Sequence, residues 1–173
     1  NKSFKPLPSL RVYIPKANGK KRPLGIASYE DKIVQMAVKK ILGAIYEPRF
    51  LNCMYGFRLN RGCHEAVKEV YQRISYGKIS YIVDADIKGF FDNIDHEWMI
   101  KFLEHDIADK NFIRYIKRFL IGGVMEDGKR LETESGTVQG GLISPVLANV
   151  YLHYTLDTWF DYVKKHEFKG EMY

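Results

Sequence analysis

The sequence predicts an α+β fold in which an antiparallel sheet packs with helices. Two dipeptides predict the sheet: Asn18-Gly19 and Asp127-Gly128 are each flanked by strand-like residues, as in β-hairpin turns. Apolar residues that recur at helical spacing outside these hairpins predict the helices. With 173 residues, 46% of them hydrophobic, the chain is long enough for one well-cored domain or two small lobes.

The composition argues against a disordered or membrane-spanning chain. No stretch approaches the roughly 18 consecutive apolar residues that a transmembrane helix needs. The polar start is unlike a secretory signal. Cys53 and Cys63 lie outside any Cys-x-x-Cys pattern, so neither a zinc site nor a disulfide framework is expected. We therefore expect a soluble, cytoplasmic protein with reduced thiols and no membrane partner.

The net charge of +6 conceals a strong asymmetry along the chain. Residues 1–78 contain 16 Lys and Arg against 5 Asp and Glu, a net charge of +11. Residues 79–173 contain 11 against 16, a net charge of −5. The first half therefore suits a polyanion such as a nucleic acid, and the second half suits a cation.

The first half is predicted to form a basic hairpin and two helices. The hairpin spans residues 11–26, and Ser28 is placed to cap the helix that follows. A second helix is expected over residues 64–76, with Val67, Val70, Tyr71 and Ile74 at helical spacing. The apolar residues of the first helix are predicted to share a buried face: Ile33, Val34, Ala37, Val38, Ile41, Leu42 and Ile45.

The second half is predicted to begin with a buried strand over residues 80–87 that ends in carboxylates. The strand period of two places Asp84 and Asp86 on the same face. Asp95 is placed to cap the next helix. Carboxylates this close repel each other unless a cation joins them, and Mg²⁺ prefers oxygen ligands. Magnesium-dependent phosphoryl transfer is therefore one interpretation of this cluster.

The remaining predicted elements are a helix, a hairpin, a glycine-rich loop and a last helix. The first of these helices runs from about Asn111 to the Gly122-Gly123 pair, and the hairpin spans residues 124–135. The glycine-rich loop covers residues 136–141. Ser144 and Pro145 are a favourable N-cap and first-position pair for the last helix, which is expected to reach about Lys165.

Four separated motifs carry a resemblance to a known family. The first comprises residues 14–16 and 21–26, and the second comprises residues 55–58 and 61–64. The third is residues 86–92, and the fourth is residues 139–145. In this order they closely resemble the reverse transcriptases encoded by group II introns, also called maturases. The resemblance implies reverse-transcriptase-like fingers at 1–80 and a partial palm at 81–173, ending before the family's Tyr-Ala-Asp-Asp turn.

The resemblance implies an RNA-directed DNA polymerase with roles in intron splicing and mobility. Two Mg²⁺ ions are the implied cofactor of the intact enzyme, and this chain alone is expected to be inactive. The implied partners are intron RNA, an RNA template with a DNA primer, and a deoxynucleoside triphosphate. A homodimer is a further expectation, because an incomplete palm would expose apolar surface.

Two alternatives to this function stay open from the sequence. One is a non-catalytic RNA-binding splicing cofactor. The other is a reverse transcriptase of the retron, CRISPR-associated or diversity-generating type, since these groups share much of the pattern.

The resemblance assigns Asp86 as the catalytic residue and metal ligand, with the Ile87 carbonyl as a second metal ligand. The family pattern is an aspartate, four residues, an aromatic residue and a second aspartate. Asp86 satisfies this pattern with Phe91 and Asp92, whereas Asp84 does not. Asp84 is therefore expected to support the site rather than bind metal.

The resemblance also assigns the contacts with nucleotide and RNA. Phe91 matches the family's steric gate against a 2′-hydroxyl, and the Gly89 and Phe90 amides match its triphosphate contacts. The other implied nucleotide contacts are Lys16, Arg22 and Gln139; the implied RNA contacts are Lys20, Lys21, Arg58 and Arg61. For Arg58 and Arg61, salt bridges to the palm are the alternative. The five histidines, at 64, 96, 105, 153 and 166, form no metal-ligand pattern. Val138 departs from the proline that many relatives carry before the glutamine.

Overall fold

One mixed sheet joins strands from both halves of the chain. The structure, a computed structural model, describes residues 4–17, 19–137, 140–167 and 170–173. In these residues β1 (Ser9–Pro15) and β2 (Lys21–Ile26) form one antiparallel hairpin, and β3 (Val124–Glu126) and β4 (Lys129–Leu131) form another. β1 also pairs with β3 in parallel, which gives the order β2-β1-β3-β4.

Both predicted hairpins and the α+β class are confirmed. The parallel pairing between the hairpins was not predicted, because it joins segments more than 100 residues apart in the sequence. The proposed boundary at residue 80 between fingers and palm stays a prediction. The tip residue Asn18 lies outside the described residues.

Six α-helices complete the described structure. Side chains cap three of them: the Ser28 hydroxyl accepts from the Asp31 N–H at 3.1 Å, and Asp95 and Asp109 act similarly. No helix in the described residues is long and apolar enough to cross a membrane. The helices are α1 (Tyr29–Tyr46), α2 (Cys63–Tyr76), α3 (His96–Asp106), α4 (Lys110–Leu120), α5 (Ser144–Leu152) and α6 (Thr158–His166).

Helices α1, α3, α4 and α5 enclose the hydrophobic core. The fully buried side chains there include Leu42, Met99, Leu103, Ile116, Leu147 and Val150. A π-helical turn over His153–Asp157 joins α5 to α6, so the predicted last helix forms with a wider turn inside it. The loops that precede α3 and α5 border this core, to which they contribute Ile94 and Ile143.

Helix α1 buries a different stripe from the predicted one. Its buried residues are Asp31, Gln35, Val38, Leu42 and Tyr46, which recur every three or four positions. Ile33 and Ile41 were predicted to be buried, but they are 56% and 47% exposed. The prediction was wrong because seven apolar positions cover a wider arc than one packing face can bury.

The predicted strand over residues 80–87 is absent from the structure. Residues 78–87 have no regular secondary structure, and Tyr81 and Val83 are 90% and 87% exposed. A strand is stable only when a neighbouring strand satisfies its backbone groups, and no described segment pairs with this one. The predicted helix α2 is confirmed, but it buries none of its residues.

The predicted capping role of Ser144 is also wrong. Ser144 is the first residue of α5, and Ile143 precedes it at the cap position without a side-chain hydrogen bond. Ser144 is buried, which suits a residue at the packed start of the helix. Pro145 still lies in the first turn, where its missing N–H costs nothing.

A buried carboxylate links three helical segments at the back of the core. The Asp106 side chain is 2% exposed; it pairs with the Arg49 guanidinium and accepts a hydrogen bond from the Tyr154 hydroxyl. Burial, together with the hydrogen bond to Asp106, raises the pKa of Tyr154 to about 12. Burial and the charge of Asp106 also raise the pKa of Tyr46. Asp106, the last residue of α3, thus joins the turn after α1 to the π-helical turn.

Replacing this carboxylate is expected to destabilise the fold. Asp106→Asn should lower the free energy of unfolding by about 2 kcal/mol, because the amide cannot serve both the guanidinium and the tyrosine. Urea unfolding measures the loss. The control is Asp161→Asn, which breaks the exposed pair with Lys165 at 2.6 Å and should change stability by less than about 0.5 kcal/mol. Equal effects of the two substitutions would contradict the structural role of Asp106.

A second buried carboxyl, that of Asp157, has one oxygen without a hydrogen-bond partner in the described residues. It is 5% exposed, and its Oδ2 atom has no hydrogen-bond partner in the described part of the chain. Burial raises the pKa of Asp157 to about 6. The folded state therefore holds this proton to a higher pH than the unfolded chain does. Ionisation of Asp157 should weaken the fold as the pH rises from about 4 to about 6.

Asp157→Asn should remove this pH-dependent loss. At pH 7 the variant is expected to be more stable than the wild type by up to about 2 kcal/mol, because no charge is buried. At pH 4 the two proteins should differ little. Urea unfolding at several pH values measures the difference, with Asp161→Asn again as the control. A difference that is constant across this range would be inconsistent with a buried titrating Asp157.

Candidate functional site

The glycine-rich loop is bonded to the segment that carries the predicted gate. The Gly136 N–H donates to the Ile94 carbonyl at 2.7 Å, and the Thr137 N–H donates to the Phe91 carbonyl at 2.7 Å. Gly136 has φ +81°, and a Cβ atom there would lie 2.7 Å from the Phe91 oxygen. Only glycine permits both the backbone angle and this close approach.

The other end of the loop contacts the basic hairpin and α1. Gly140 has φ +98°, and a Cβ atom there would lie 2.9 Å from the Gly25 carbonyl oxygen. The Leu142 N–H donates to the Gln35 side chain at 2.8 Å. Gln35 is buried, so α1 supplies an internal acceptor for the loop. The hairpin, α1 and the gate segment therefore meet at the glycine-rich loop.

The gate segment is a tight turn that we call the Phe-Phe turn, residues 89–93. Gly89 has φ +62° and starts a short 3₁₀ helix over Phe90–Asp92. The Asn93 side-chain amide donates to the Gly89 carbonyl at 2.8 Å and closes the turn. As first residues of a helical turn, Gly89 and Phe90 have N–H groups without partners inside the turn. This geometry is compatible with the predicted triphosphate contacts.

The two phenylalanines differ in their surroundings. Their rings meet edge to face at 5.7 Å, and both pack against the edge of the hydrophobic core. Phe90 also contacts the Tyr151 ring at 6.2 Å. The backbone of Phe91 is held by the hydrogen bond that its carbonyl accepts from the Thr137 N–H. Both side chains stay partly exposed, so Phe91 is available to a ligand at the loop.

Asp86 lies outside this packed arrangement. It is exposed, in the segment without regular structure, and Ile87 next to it is half exposed. Within the described residues, no group of three or more His, Cys, Asp or Glu side chains could hold a metal ion. The Asp86 carboxylate and the Ile87 carbonyl thus offer two oxygen donors, but the described residues do not form a complete ligand set.

The predicted cations of the basic hairpin lie at its exposed tip. Lys16 and Lys20 flank the turn, where the Lys16 N–H donates to the Lys20 carbonyl at 2.7 Å. The strand register pairs Ile14 with Arg22 and Pro15 with Lys21, so Arg22 and Lys21 lie on opposite faces of the hairpin. Gln139, the remaining predicted nucleotide contact, lies outside the described residues.

Arg58 makes several contacts within the protein itself. Its side chain is 6% exposed and pairs with Glu47 at 2.9 Å. It also donates to the Leu51 and Met54 carbonyls at 2.8 and 2.9 Å and lies over the Phe50 ring. The RNA contact predicted for Arg58 stays a prediction, while its guanidinium is occupied in holding the segment after α1.

Arg61 is partly exposed and makes fewer internal contacts. It donates to the Asn52 carbonyl at 2.5 Å and to the Asn52 side chain at 3.1 Å. Its guanidinium lies 5.2 Å from the centre of the Tyr55 ring. The RNA contact predicted for Arg61 stays a prediction.

Several residues that shape the site belong to no motif that sequence reasoning could recognise. A cavity of about 130 Å³ opens between the hairpin, the Phe-Phe turn and the glycine-rich loop. Arg11 and Thr137 line it, and the Arg11 Nε and Thr137 Oγ1 atoms are buried without a hydrogen-bond partner in the described structure. His96 contacts the Gly136 carbonyl at 2.6 Å. Single residues of these types, outside a spaced motif, are indistinguishable from ordinary strand and helix residues.

The sequence also resembles known proteins over most of its length. Residues 14–168 match the family described as reverse transcriptase (RNA-dependent DNA polymerase). The chain is 45% identical over 152 residues to the group II intron-encoded protein LtrA of Lactococcus lactis subsp. cremoris, covering 87% of this chain and 25% of that protein.

Two further relatives show the same pattern of coverage. A protein of Schizosaccharomyces pombe, "Uncharacterized 91 kDa protein in cob intron", is 37% identical over 171 residues, covering 98% of this chain and 21% of the relative. Protein YkfC of Escherichia coli is 36% identical over 153 residues, covering 87% of this chain and 40% of that protein. The chain thus spans a quarter or less of two of these relatives and two fifths of the third. It belongs to the reverse transcriptase family and is similar to that family's group II intron-encoded proteins.

Proposed function

We propose that this chain is the nucleotide-binding part of an RNA-directed DNA polymerase encoded by a group II intron. The observation that carries the proposal is the meeting of three sequence motifs at one place. Gly140 approaches Gly25 of the basic hairpin, and Thr137 is bonded to Phe91 of the Phe-Phe turn. A nucleotide at this junction would contact backbone amides and an aromatic ring, and the predicted cations lie further along the same hairpin, towards its tip.

Each part of the junction has a distinct chemical role in this proposal. Lys16 and Arg22 bind the triphosphate, for which the planar guanidinium is well suited. The Gly89 and Phe90 amides point at the phosphates as an anion cradle. Phe91 lies under the sugar and excludes a 2′-hydroxyl, and Gln139 contacts the sugar and the template base. Lys20, Lys21 and Arg61 contribute contacts with the RNA backbone.

Asp86 and the Ile87 carbonyl are proposed to hold divalent metal, in the form of two Mg²⁺ ions in the intact enzyme. Oxygen donors of this kind suit a hard cation, and the Asp86 carboxylate is exposed and available. When bound, such ions activate the attacking primer hydroxyl and stabilise the leaving pyrophosphate. The protein's own contribution is to position the triphosphate and to select its sugar.

The names of the relatives support an intron-encoded polymerase over a retron, CRISPR-associated or diversity-generating enzyme. LtrA is named as a group II intron-encoded protein, and another relative, from Arabidopsis thaliana, is named as a nuclear intron maturase. We therefore extend the proposal to a role in intron splicing and mobility, with intron RNA, a template–primer duplex and a deoxynucleotide as partners. A homodimer and a cytoplasmic location belong to the proposal as well.

The non-catalytic splicing cofactor is the second candidate function. The strongly basic first half of the chain favours RNA binding whether or not the protein polymerises. The two functions differ in whether they need Asp86, because only polymerisation needs a metal ligand.

Asp86→Ala in the full-length protein should abolish primer extension while leaving RNA binding within about twofold. The rate should fall at least about a thousandfold, because bound metal supplies several kcal/mol of transition-state stabilisation and each 1.36 kcal/mol is a factor of ten. Primer extension and RNA affinity at matched salt are the measurements. Asp84→Ala, two residues away, is the matched control and should retain most activity. Wild-type rates in Asp86→Ala would reject the assignment.

Phe91→Ala should increase the incorporation of ribonucleotides. Removing the ring opens space at the 2′ position, so the preference for deoxynucleotides should fall by at least about tenfold. Competition between matched deoxy- and ribonucleotides in primer extension measures this ratio. Phe91→Tyr keeps the ring and should keep the preference. A ratio unchanged in Phe91→Ala would remove Phe91 from the gate role.

A further inference from the structure

His96 makes a side-chain contact across two segments that are 40 residues apart in the sequence. It is the first residue of α3, directly after the capping residue Asp95. Its Nε2 atom lies 2.6 Å from the carbonyl oxygen of Gly136. Because a carbonyl oxygen can only accept, Nε2 carries the proton and donates it. The ring is partly buried, so this hydrogen bond is only partly open to competition from water.

The contact adds to a set of bonds between residues 135–137 and the segment that runs from the Phe-Phe turn to the start of α3. Two backbone bonds at 2.7 Å already hold Gly136 and Thr137 to the turn and its flank. The Ser135 hydroxyl adds a longer bond, 3.3 Å to the Asp92 carbonyl. His96 supplies the shortest side-chain bond of this set, and it is made to the residue that must adopt a left-handed backbone. Its ring therefore ties the start of the loop to the start of α3.

We infer that His96 is a positioning residue that fixes the glycine-rich loop against the Phe-Phe turn and thereby sets the fit of the deoxynucleotide sugar. The inference rests on the proposed polymerase function. His96 acts through Gly136 and Phe91 and does not itself touch the nucleotide. Losing its donor lets the loop and the gate move apart, which weakens nucleotide binding and sugar selection more than it slows the chemical step.

The test is steady-state primer extension by the full-length enzyme carrying His96→Ala. KM for the deoxynucleotide should rise about tenfold, the effect expected when one partly buried hydrogen bond is lost. The kcat should change less than about threefold, because no group at the reacting atoms is removed. Discrimination against ribonucleotides should fall in parallel with the rise in KM.

Rescue separates positioning from general destabilisation. His96→Gln places an amide donor near the position of Nε2 and should restore KM and sugar selection towards wild type. The matched control is Thr155→Val, which removes a 2.8 Å hydroxyl-to-carbonyl bond within the helix, to Tyr151, and should change neither. The inference fails if His96→Ala leaves KM and discrimination unchanged, or if His96→Gln is as impaired as His96→Ala. Should His96→Ala not fold, His96→Asn, whose amide is too short to reach, replaces it in the comparison with His96→Gln.

An activity-independent measurement keeps this inference separate from the proposed function. Amide hydrogen exchange at Gly136 and Thr137 should accelerate in His96→Ala and return towards wild type in His96→Gln. If the wild-type protein does not extend primers, the proposed polymerase function fails while the exchange result still decides whether His96 positions the loop. Unchanged exchange at both amides would overturn the inference even in an active enzyme.

Discussion

The close approach of the glycine-rich loop to two other backbones is the constraint on which the candidate site depends. A Cβ atom at Gly136 would collide with the Phe91 carbonyl, and one at Gly140 would collide with the Gly25 carbonyl. With side chains at these positions the hairpin, the loop and the Phe-Phe turn would have to separate. Both glycines also adopt left-handed backbone angles that other residues rarely accept. The site is therefore assembled by backbone contact, and side chains such as Gln35 and His96 hold it in place.

Polar side chains among the helices also hold backbone segments in place, away from the candidate site. Arg58 holds the segment after α1 through two carbonyls and Glu47, and the Asn149 amide donates to the Gly56 carbonyl from α5 at 2.8 Å. The motif that contains Gly56 and Arg58 is thus part of the scaffold. An arginine in the basic half of the chain thus also serves the scaffold, because its buried donors are bonded to the protein's own backbone.

The sequence predicts local structure well where a short-range chemical signal decides it. Turn dipeptides marked both hairpins, and capping residues such as Ser28 and Asp95 marked helix starts, because each acts on its immediate neighbours. The burial of Ile33 and the strand over residues 80–87 were predicted wrongly, because burial and pairing depend on which distant segment lies opposite. The structural roles of His96 and Thr137 were not predicted for the same reason, because they arise from contacts across about 40 residues of sequence.

Phe91, the proposed sugar gate, and Asp86, the proposed metal ligand, differ in how firmly the fold holds them. Phe91 is fixed by a backbone hydrogen bond, by packing against the core and by the closed turn before it. Asp86 is only five residues away, yet it belongs to an exposed segment whose backbone groups lack a partner strand in the described residues. In the proposal, selection of the nucleotide sugar depends on the Phe-Phe turn, whose two rings pack against the core. Metal binding needs a carboxylate held to within a fraction of an ångström, and for Asp86 that requires a strand paired beside residues 80–87.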